Sequence, residues 1–146
     1  MWLQLADVAL VAWQALLRSH RHLVDTLDRD LRERADLPLE QYDVLYQLRT
    51  VADGWLRMSD LAERLLVSRS SCTRIVDALV RQELVQRRDD PEDRRAVRVE
   101  LTTEGRRVQR RAGRIHVAGI EANLTSRLSS AELEALATAL SRLLDD

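Results

Sequence analysis

The chain has 146 residues, 45% of them hydrophobic, so one domain of ordinary size can bury a core without disulfides. Its single cysteine excludes an internal disulfide and a paired-cysteine metal site, and is typical of a reducing, cytoplasmic compartment. The net charge of −1 conceals an asymmetry, because positions 57–114 carry 15 arginines against 10 acidic residues and the remainder is acidic. Such a basic segment indicates either nucleic-acid binding or an ordinary salt-bridged surface.

The N-terminal third is predicted to form two helices. Apolar residues recur every seven positions from Leu3 to Leu31, which predicts one long helix with a continuous apolar seam. About 30 helical residues span about 45 Å, more than a small domain needs, so part of this seam is expected to meet another chain. The apolar start is too short to cross a membrane and contains Asp7. A second helix is predicted from Pro38 to about Val51.

Two short helices follow, separated by a two-residue turn. The first is predicted over Asp60–Leu66 with Ser59 as its N-cap, and the second over Arg69–Glu83 with Ser68 as its N-cap. This spacing predicts a helix-turn-helix. The apolar residues of the second helix fall on one side, and its other side is polar: Arg69, Ser70, Thr73, Arg74 and Asp77. Such a helix fits the major groove of DNA, although an ordinary amphipathic helix has the same pattern.

A short β-hairpin is predicted next. Residues 84–88 and 96–102 are strand-like, and the second run alternates apolar and polar residues through Val97, Val99 and Leu101. The charged stretch DDPEDRR at 89–95 joins them and makes a two-stranded wing. The alternative is a solvent-exposed charged hairpin without a binding role.

Two helices complete the chain. Thr102 is predicted to cap a long polar helix from Thr103 to about Leu128. Ser129 and Glu132 have the spacing of a capping box for a last helix, Ser130–Leu144. Its leucine stripe is a second apolar surface that another chain could cover.

The order helix, helix, wing resembles the MarR family of winged helix-turn-helix transcription regulators over about residues 39–107. The family signature, Asp, any residue, Arg, five residues, Leu-Thr, is matched by Asp93, Arg95, Leu101 and Thr102. Two positions depart from the family pattern: Leu66 stands where glycine is usual in the turn, and Cys72 where a β-branched residue is common.

The resemblance implies a fold and a partner. We expect a single mainly α domain with a two-stranded wing, residues 39–102 forming the DNA-binding lobe and residues 1–35 and 115–146 the dimerisation helices. The implied protein is a homodimeric repressor that binds a pseudo-palindromic site in double-stranded DNA and is released by a small aromatic or anionic effector.

The resemblance also suggests site residues. Arginines at the wing tip suit the narrow, negative minor groove, with Asp93 orienting an adjacent arginine and Pro91 stiffening the loop. The predicted DNA-binding residues are Ser68, Arg69, Ser70, Thr73, Arg74, Asp93, Arg94 and Arg95. The predicted effector-binding residues, between the dimerisation helices and the DNA-binding lobe, are Trp13, His20, Tyr46 and Arg49.

No catalytic site, metal site or cofactor is predicted. His20 and His22 are two residues apart on a helix and cannot face one metal ion together. Cys72 is expected to be a small core residue, with a redox switch as the alternative. Two other functions fit the pattern: a winged helix that docks an acidic protein, or a DNA-coating protein with little sequence preference.

Overall fold

A computed structural model describes residues 7–144, and these residues divide into two compact units. The winged unit comprises residues 28–115, and the helical unit comprises residues 7–27 and 116–144. The described elements, mainly helices with a small antiparallel sheet, confirm the predicted fold class. The predicted start of the first helix at Leu3 lies outside the described residues.

The elements follow one another with short connections. In chain order they are α1 (Asp7–Ala35), α2 (Leu39–Thr50), β1 (Trp55–Arg57), α3 (Met58–Leu65), α4 (Arg69–Arg81), β2 (Val85–Asp89), β3 (Val97–Leu101), α5 (Thr103–Asn123), a 3-10 turn (Thr125–Arg127) and α6 (Ser130–Ser141).

Helix α1 ends at Ala35, four residues beyond Leu31, the last residue of the predicted apolar seam. Asp36 takes the left-handed conformation with φ 52°, and the Leu37 N–H donates to the Leu31 carbonyl at 3.4 Å. This arrangement satisfies carbonyl groups that a helix end leaves unpaired. The Asp28 carboxylate then accepts the N–H of Leu39 at 2.8 Å, which joins the last turns of α1 to the start of α2.

The sheet has three strands in the order β1-β3-β2, all antiparallel. Strands β2 and β3 form the predicted hairpin, and β1 adds a third strand that the sequence did not predict. Three residues are too few to show alternation, but Leu56 lies opposite Val99 in the register and both are buried. A turn at Gly54, with φ 70°, directs the chain into β1.

The buried apolar residues form a single cluster within the winged unit. Leu31, Leu45, Leu48, Leu61, Leu79 and Val99 are among its fully buried members. No apolar side chain of the helical unit is buried within the part of the chain described, 7–27 and 116–144. The winged unit therefore has its own core, whereas the described residues of the helical unit do not form one.

The C-terminal helices begin as predicted, but α5 ends early. Thr102 Oγ1 accepts the Gly105 N–H at 2.9 Å, and both hydrogen bonds of the Ser129–Glu132 capping box are present. Helix α5 stops at Asn123 instead of continuing to Leu128. The Asn123 side chain donates to the Gly119 carbonyl at 2.8 Å, a local bond with which asparagine commonly competes with helix continuation.

Candidate nucleic-acid interface

Helices α3 and α4 form the predicted helix-turn-helix. The Ser68 hydroxyl accepts the N–H of Ser71 at 3.1 Å, which confirms Ser68 as the N-cap of α4. The prediction of Ser59 as the cap of α3 is wrong, because α3 begins at Met58, two residues earlier than predicted, and Arg57 occupies the N-cap position without a side-chain cap. Strand β1 runs directly into α3, so Ser59 falls in the first helical turn.

The turn between these helices spans residues 66–68, one residue longer than predicted. Leu66 has φ 55° and is 82% exposed. Its N–H donates to the Glu63 carbonyl and that of Val67 to the Ala62 carbonyl, both at 3.1 Å. A residue with a Cβ is destabilised by roughly 1 kcal/mol in this left-handed conformation, so Leu66 makes the turn at some cost in stability.

Helix α4 divides into the two predicted faces. Cys72, Ile75, Val76 and Leu79 are buried, and Arg69, Ser70, Thr73 and Arg74 are exposed. The Cys72 sulfur lies 3.7 Å from the Met58 sulfur, and burial raises the pKa of the Cys72 thiol. Cys72 therefore packs as a small core residue, and the polar face remains available to a ligand.

Arg74, a predicted base-reading residue, has an intramolecular partner. Its Nη1 and Nη2 atoms donate to the two carboxylate oxygens of Glu40 on α2, each at 3.1 Å. Both side chains are well exposed, and exposed ion pairs contribute at most about 1 kcal/mol. A guanine edge or a phosphate can therefore compete with Glu40 for this guanidinium.

The wing tip is held by Asp93 through the main chain. Asp93 Oδ1 accepts the N–H of Arg95 at 3.0 Å, and the Asp93 carbonyl accepts the N–H of Ala96 at 3.0 Å. The predicted contact between Asp93 and an adjacent arginine is thus made to the backbone of Arg95. The side chains of Arg94 and Arg95 are exposed on the loop.

The base of the wing is anchored by Asp90, which the sequence analysis did not single out. Its buried carboxylate accepts hydrogen bonds from the Glu92 N–H at 2.9 Å, Arg57 Nε at 2.7 Å and Arg98 Nη2 at 3.3 Å. The backbone bond from Glu92, together with the two guanidinium groups, holds the pKa of Asp90 well below its usual range. Arg98 also lies over the Trp55 ring, 3.5 Å from its centre.

A cleft of about 640 Å³ separates α4 from the wing. The charged and hydroxyl side chains among its lining residues are Arg57, Ser59, Arg69, Thr73, Asp77, Arg87, Asp93 and Arg95. Four predicted DNA-binding residues line this cleft: Arg69, Thr73, Asp93 and Arg95. The other four, Ser68, Ser70, Arg74 and Arg94, are exposed outside its lining.

Arg57 and Arg87 are the cleft arginines that sequence reasoning missed. Arg87, on β2, forms an ion pair with Asp77 on α4. Arg57 precedes α3 and binds Asp90 in the wing. The two residues of each ion pair are ten and 33 positions apart in the sequence, so no local pattern reveals these pairs. The one available signal for Arg87 was the alternation of β2, which assigns it to the same face as the apolar Val85.

The predicted effector residues fall into two pairs in different units. Trp13 and His20 line an apolar cavity of about 760 Å³ within the helical unit, with leucines such as Leu128 and Leu140. In the winged unit, Tyr46 stacks on Tyr42 with ring centres 6.2 Å apart. Arg49 Nη1 donates to Gln109 Oε1 at 2.5 Å.

Among residues 7–144, no three histidine, cysteine or acidic side chains are placed to hold a metal ion together. None of the helices described there combines the length and apolar character needed to cross a membrane. The arginine-lined cleft is therefore the feature whose chemistry suits a macromolecular ligand most directly.

Comparison with known proteins points to one family. The model of the MarR family matches residues 35–96, from the end of α1 to the wing. The chain is 29% identical over 134 residues to the HTH-type transcriptional regulator YhbI of Bacillus subtilis, covering 90% of this chain and 85% of YhbI.

Two solved structures from Streptomyces coelicolor are similar over nearly the whole chain. One is Sco3205, a MarR family transcriptional regulator in complex with DNA, with TM-score 0.91, 28% identity and coverage of 96% of this chain and 91% of that one. The other is AbsC, a MarR family transcriptional regulator, with TM-score 0.91, 28% identity and coverage of 99% and 95%.

Proposed function

Because this chain belongs to the MarR family of winged helix-turn-helix transcription regulators, we propose that it is a homodimeric repressor that binds a pseudo-palindromic DNA site and is released by a small molecule. Residues 39–102 would be the DNA-binding lobe, and the segments 1–35 and 115–146 would supply the dimerisation helices. The structure places residues 28–35 within the winged unit, so the pairing surface would come from the part of α1 before Asp28.

The observation that carries the proposal is the shared cleft between α4 and the wing. Arg69 and Thr73 from α4 and Arg95 from the wing tip line the same opening. The polar face of α4 suits base edges in the major groove, and the wing arginines suit the adjacent minor groove. The similar protein Sco3205 has been solved in complex with DNA, which supports DNA as the ligand here.

The exposed apolar side chains of the helical unit support the homodimer. On α1, Trp13 is 58% exposed and Leu17 42% exposed, and on α6 Leu136 is 38% exposed. Contiguous exposed apolar surface of this kind marks an interaction site. A two-fold pair would present two α4 helices to successive major grooves about one helical turn apart, which fits a pseudo-palindromic site.

The effector part of the proposal rests on aromatic and polar side chains. Trp13 and His20 border the cavity of the helical unit, and Tyr46 and Arg49 offer a ring and a cation in the winged unit. Such groups suit a small aromatic or anionic compound. Aromatic carboxylates can be screened by thermal shift; a compound that binds and leaves DNA affinity unchanged would remove the release step from the proposal.

The function is tested by selecting bound fragments from genomic DNA and titrating the selected duplex. We expect a pseudo-palindromic motif and an affinity that falls steeply with salt. Fragments without a shared motif would favour a DNA-coating protein instead. Absence of duplex binding, with capture of an acidic protein, would favour a protein-docking wing.

The wing assignment is tested by two substitutions at its tip. Arg95→Ala is expected to lower duplex affinity at least about tenfold, and Arg94→Ala somewhat less, because each removes a minor-groove contact of about 1 to 3 kcal/mol. Arg142→Ala is the control, since this arginine lies at the end of α6 in the helical unit. Unchanged binding by both wing variants at physiological salt would contradict the assignment.

A further inference from the structure

We propose that the cleft between α4 and the wing binds a backbone phosphate of duplex DNA, with Arg57 and Arg87 as its anchors. Neither residue belongs to the recognition face or the wing tip, so this phosphate site is additional to the contacts proposed above. The inference rests on the proposed DNA-binding function and specifies how the duplex backbone is held between the two groove contacts.

The charges of the cleft favour an anion. Four arginines and two aspartates contribute to its lining: Arg57, Arg69, Arg87, Arg95, Asp77 and Asp93. The excess of positive charge is concentrated in a recess between two elements, where opposing walls strengthen an electrostatic field. A phosphodiester that crosses from the major groove at α4 to the minor groove at the wing tip would pass this recess.

Arg57 and Arg87 differ from the other cleft arginines because each is already fixed by a carboxylate. Arg57 Nε donates to the buried Asp90, and Arg87 Nη2 donates to Asp77. Their side chains remain 36% and 33% exposed, and a guanidinium has five N–H donors, so donors remain for a ligand. A pre-positioned guanidinium loses less side-chain entropy on binding than a free one.

The alternative is that these ion pairs stabilise the fold and make no contact with DNA. Arg98 is the matched control for this alternative. Arg98 donates to the same Asp90 carboxylate as Arg57, but its guanidinium lies over Trp55 and it is absent from the cleft lining. A structural role predicts similar effects of Arg57→Gln and Arg98→Gln on DNA binding. A phosphate contact predicts a difference between them.

The experiment measures duplex affinity against salt concentration for the full-length protein and its variants. Each phosphate contact contributes about 0.9 to the slope of log K against log salt. We expect Arg57→Gln and Arg87→Gln each to lower affinity about tenfold and to reduce the slope by about one per half-site, with the selected motif unchanged. Arg98→Gln should keep the wild-type slope, and Arg57→Lys should recover most of it.

The outcomes separate this inference from the proposed function. If wild-type protein binds duplex and Arg95→Ala weakens it, but Arg57→Gln and Arg87→Gln keep the wild-type slope, the phosphate site is overturned and the DNA-binding function stands. Equal slope losses in Arg57→Gln and Arg98→Gln would also overturn it. If wild-type protein shows no salt-dependent binding of duplex, both proposals fail. Should Arg57→Gln not fold, the slope measured for Arg87→Gln decides.

Discussion

The winged unit and the helical unit use their apolar residues in opposite ways. In the winged unit they converge from α2, α3, α4 and the sheet into one cluster, with Val44, Leu45 and Leu48 fully buried. In the helical unit the described apolar side chains stay accessible, and Trp13 remains 58% exposed. The winged unit has the core of an independent domain, whereas the described apolar surface of the helical unit stays accessible and is the surface that we propose a second copy covers.

The contrast assigns two functions, DNA contact and pairing of chains, to two units whose segments are interleaved along the sequence. A rigid winged unit can hold α4 and the wing in one geometry without help from another chain. If two chains pair through the accessible surface of the helical unit, that pairing sets the spacing between their two winged units. Stability of the DNA-binding lobe and assembly of the DNA-binding dimer should therefore respond to different substitutions.

The largest effect on assembly and DNA affinity is expected from negative charges introduced into the apolar surface of the helical unit. Changing Leu136 and Leu140 together to Asp should convert the dimer to a monomer of 16.8 kDa, because both residues line the apolar cavity of this unit. Without paired half-sites, affinity for the selected duplex should fall about a thousandfold, toward nonspecific binding. Light scattering and duplex titration measure the two effects.

Thr138→Asp is the control for this double variant, because it adds a charge to the same helix outside the apolar cavity. It should leave both mass and affinity near wild type. A Leu136, Leu140 double variant that still binds the palindrome with full affinity as a monomer would break the proposed division between the units.

A smaller effect is expected from shortening core leucines. Leu79→Ala should lower the free energy of unfolding by about 3 kcal/mol, because Leu79 is fully buried in the winged unit and its loss leaves a cavity. Leu136→Ala in the helical unit should act mainly through the dimer, so its effect should depend on protein concentration. Urea unfolding at micromolar and submicromolar protein distinguishes them; the same concentration dependence for both would argue against separate roles.

The smallest effect concerns an acidic residue beside the core of the winged unit. Burial raises the pKa of Asp43, on α2, to about 6. Since the folded state then holds this proton more tightly than the unfolded chain, stability should fall as pH rises from about 4 to 6. Asp43→Asn should therefore stabilise the protein at pH 7.5 by about 1 kcal/mol, allowing for partial exposure, and give no gain at pH 4.

Asp53→Asn is the matched control, because Asp53 is exposed in the turn before β1. It should change stability little at either pH, as measured by urea unfolding. A gain from Asp43→Asn that is equal at pH 4 and pH 7.5 would indicate a packing effect instead of relief from a buried charge.

Local patterns in the sequence were sufficient to predict most elements of the fold. Ser68 and Thr102 cap the helices they were expected to cap, and the apolar residues Ile75 and Leu79 of α4 are buried as their spacing predicts. The polar face of α4 is exposed for the same reason. These features depend on neighbours within one or two turns, where side-chain periodicity is informative.

The features that escaped prediction depend on distant partners. Strand β1 is defined by its pairing with β3, more than 40 residues later, and three residues show no period of their own. Asp90 is one of several acids in the wing loop, and only the fold shows that it is the buried one. The partner of Arg74, Glu40, is 34 residues away on α2, so this ion pair could not be predicted from the sequence either.

The anchor at Asp90 bears on how fast the protein would reach its site. With the base of the wing fixed to Arg57 and Arg98 and its tip turned by Asp93, contact with DNA would require the ordering of a few side chains and not of a whole loop. Association without a preceding conformational step is governed by diffusion and electrostatic attraction. The rate of encounter would then be set chiefly by ionic strength, and the lifetime of the complex by the contacts that the two grooves allow.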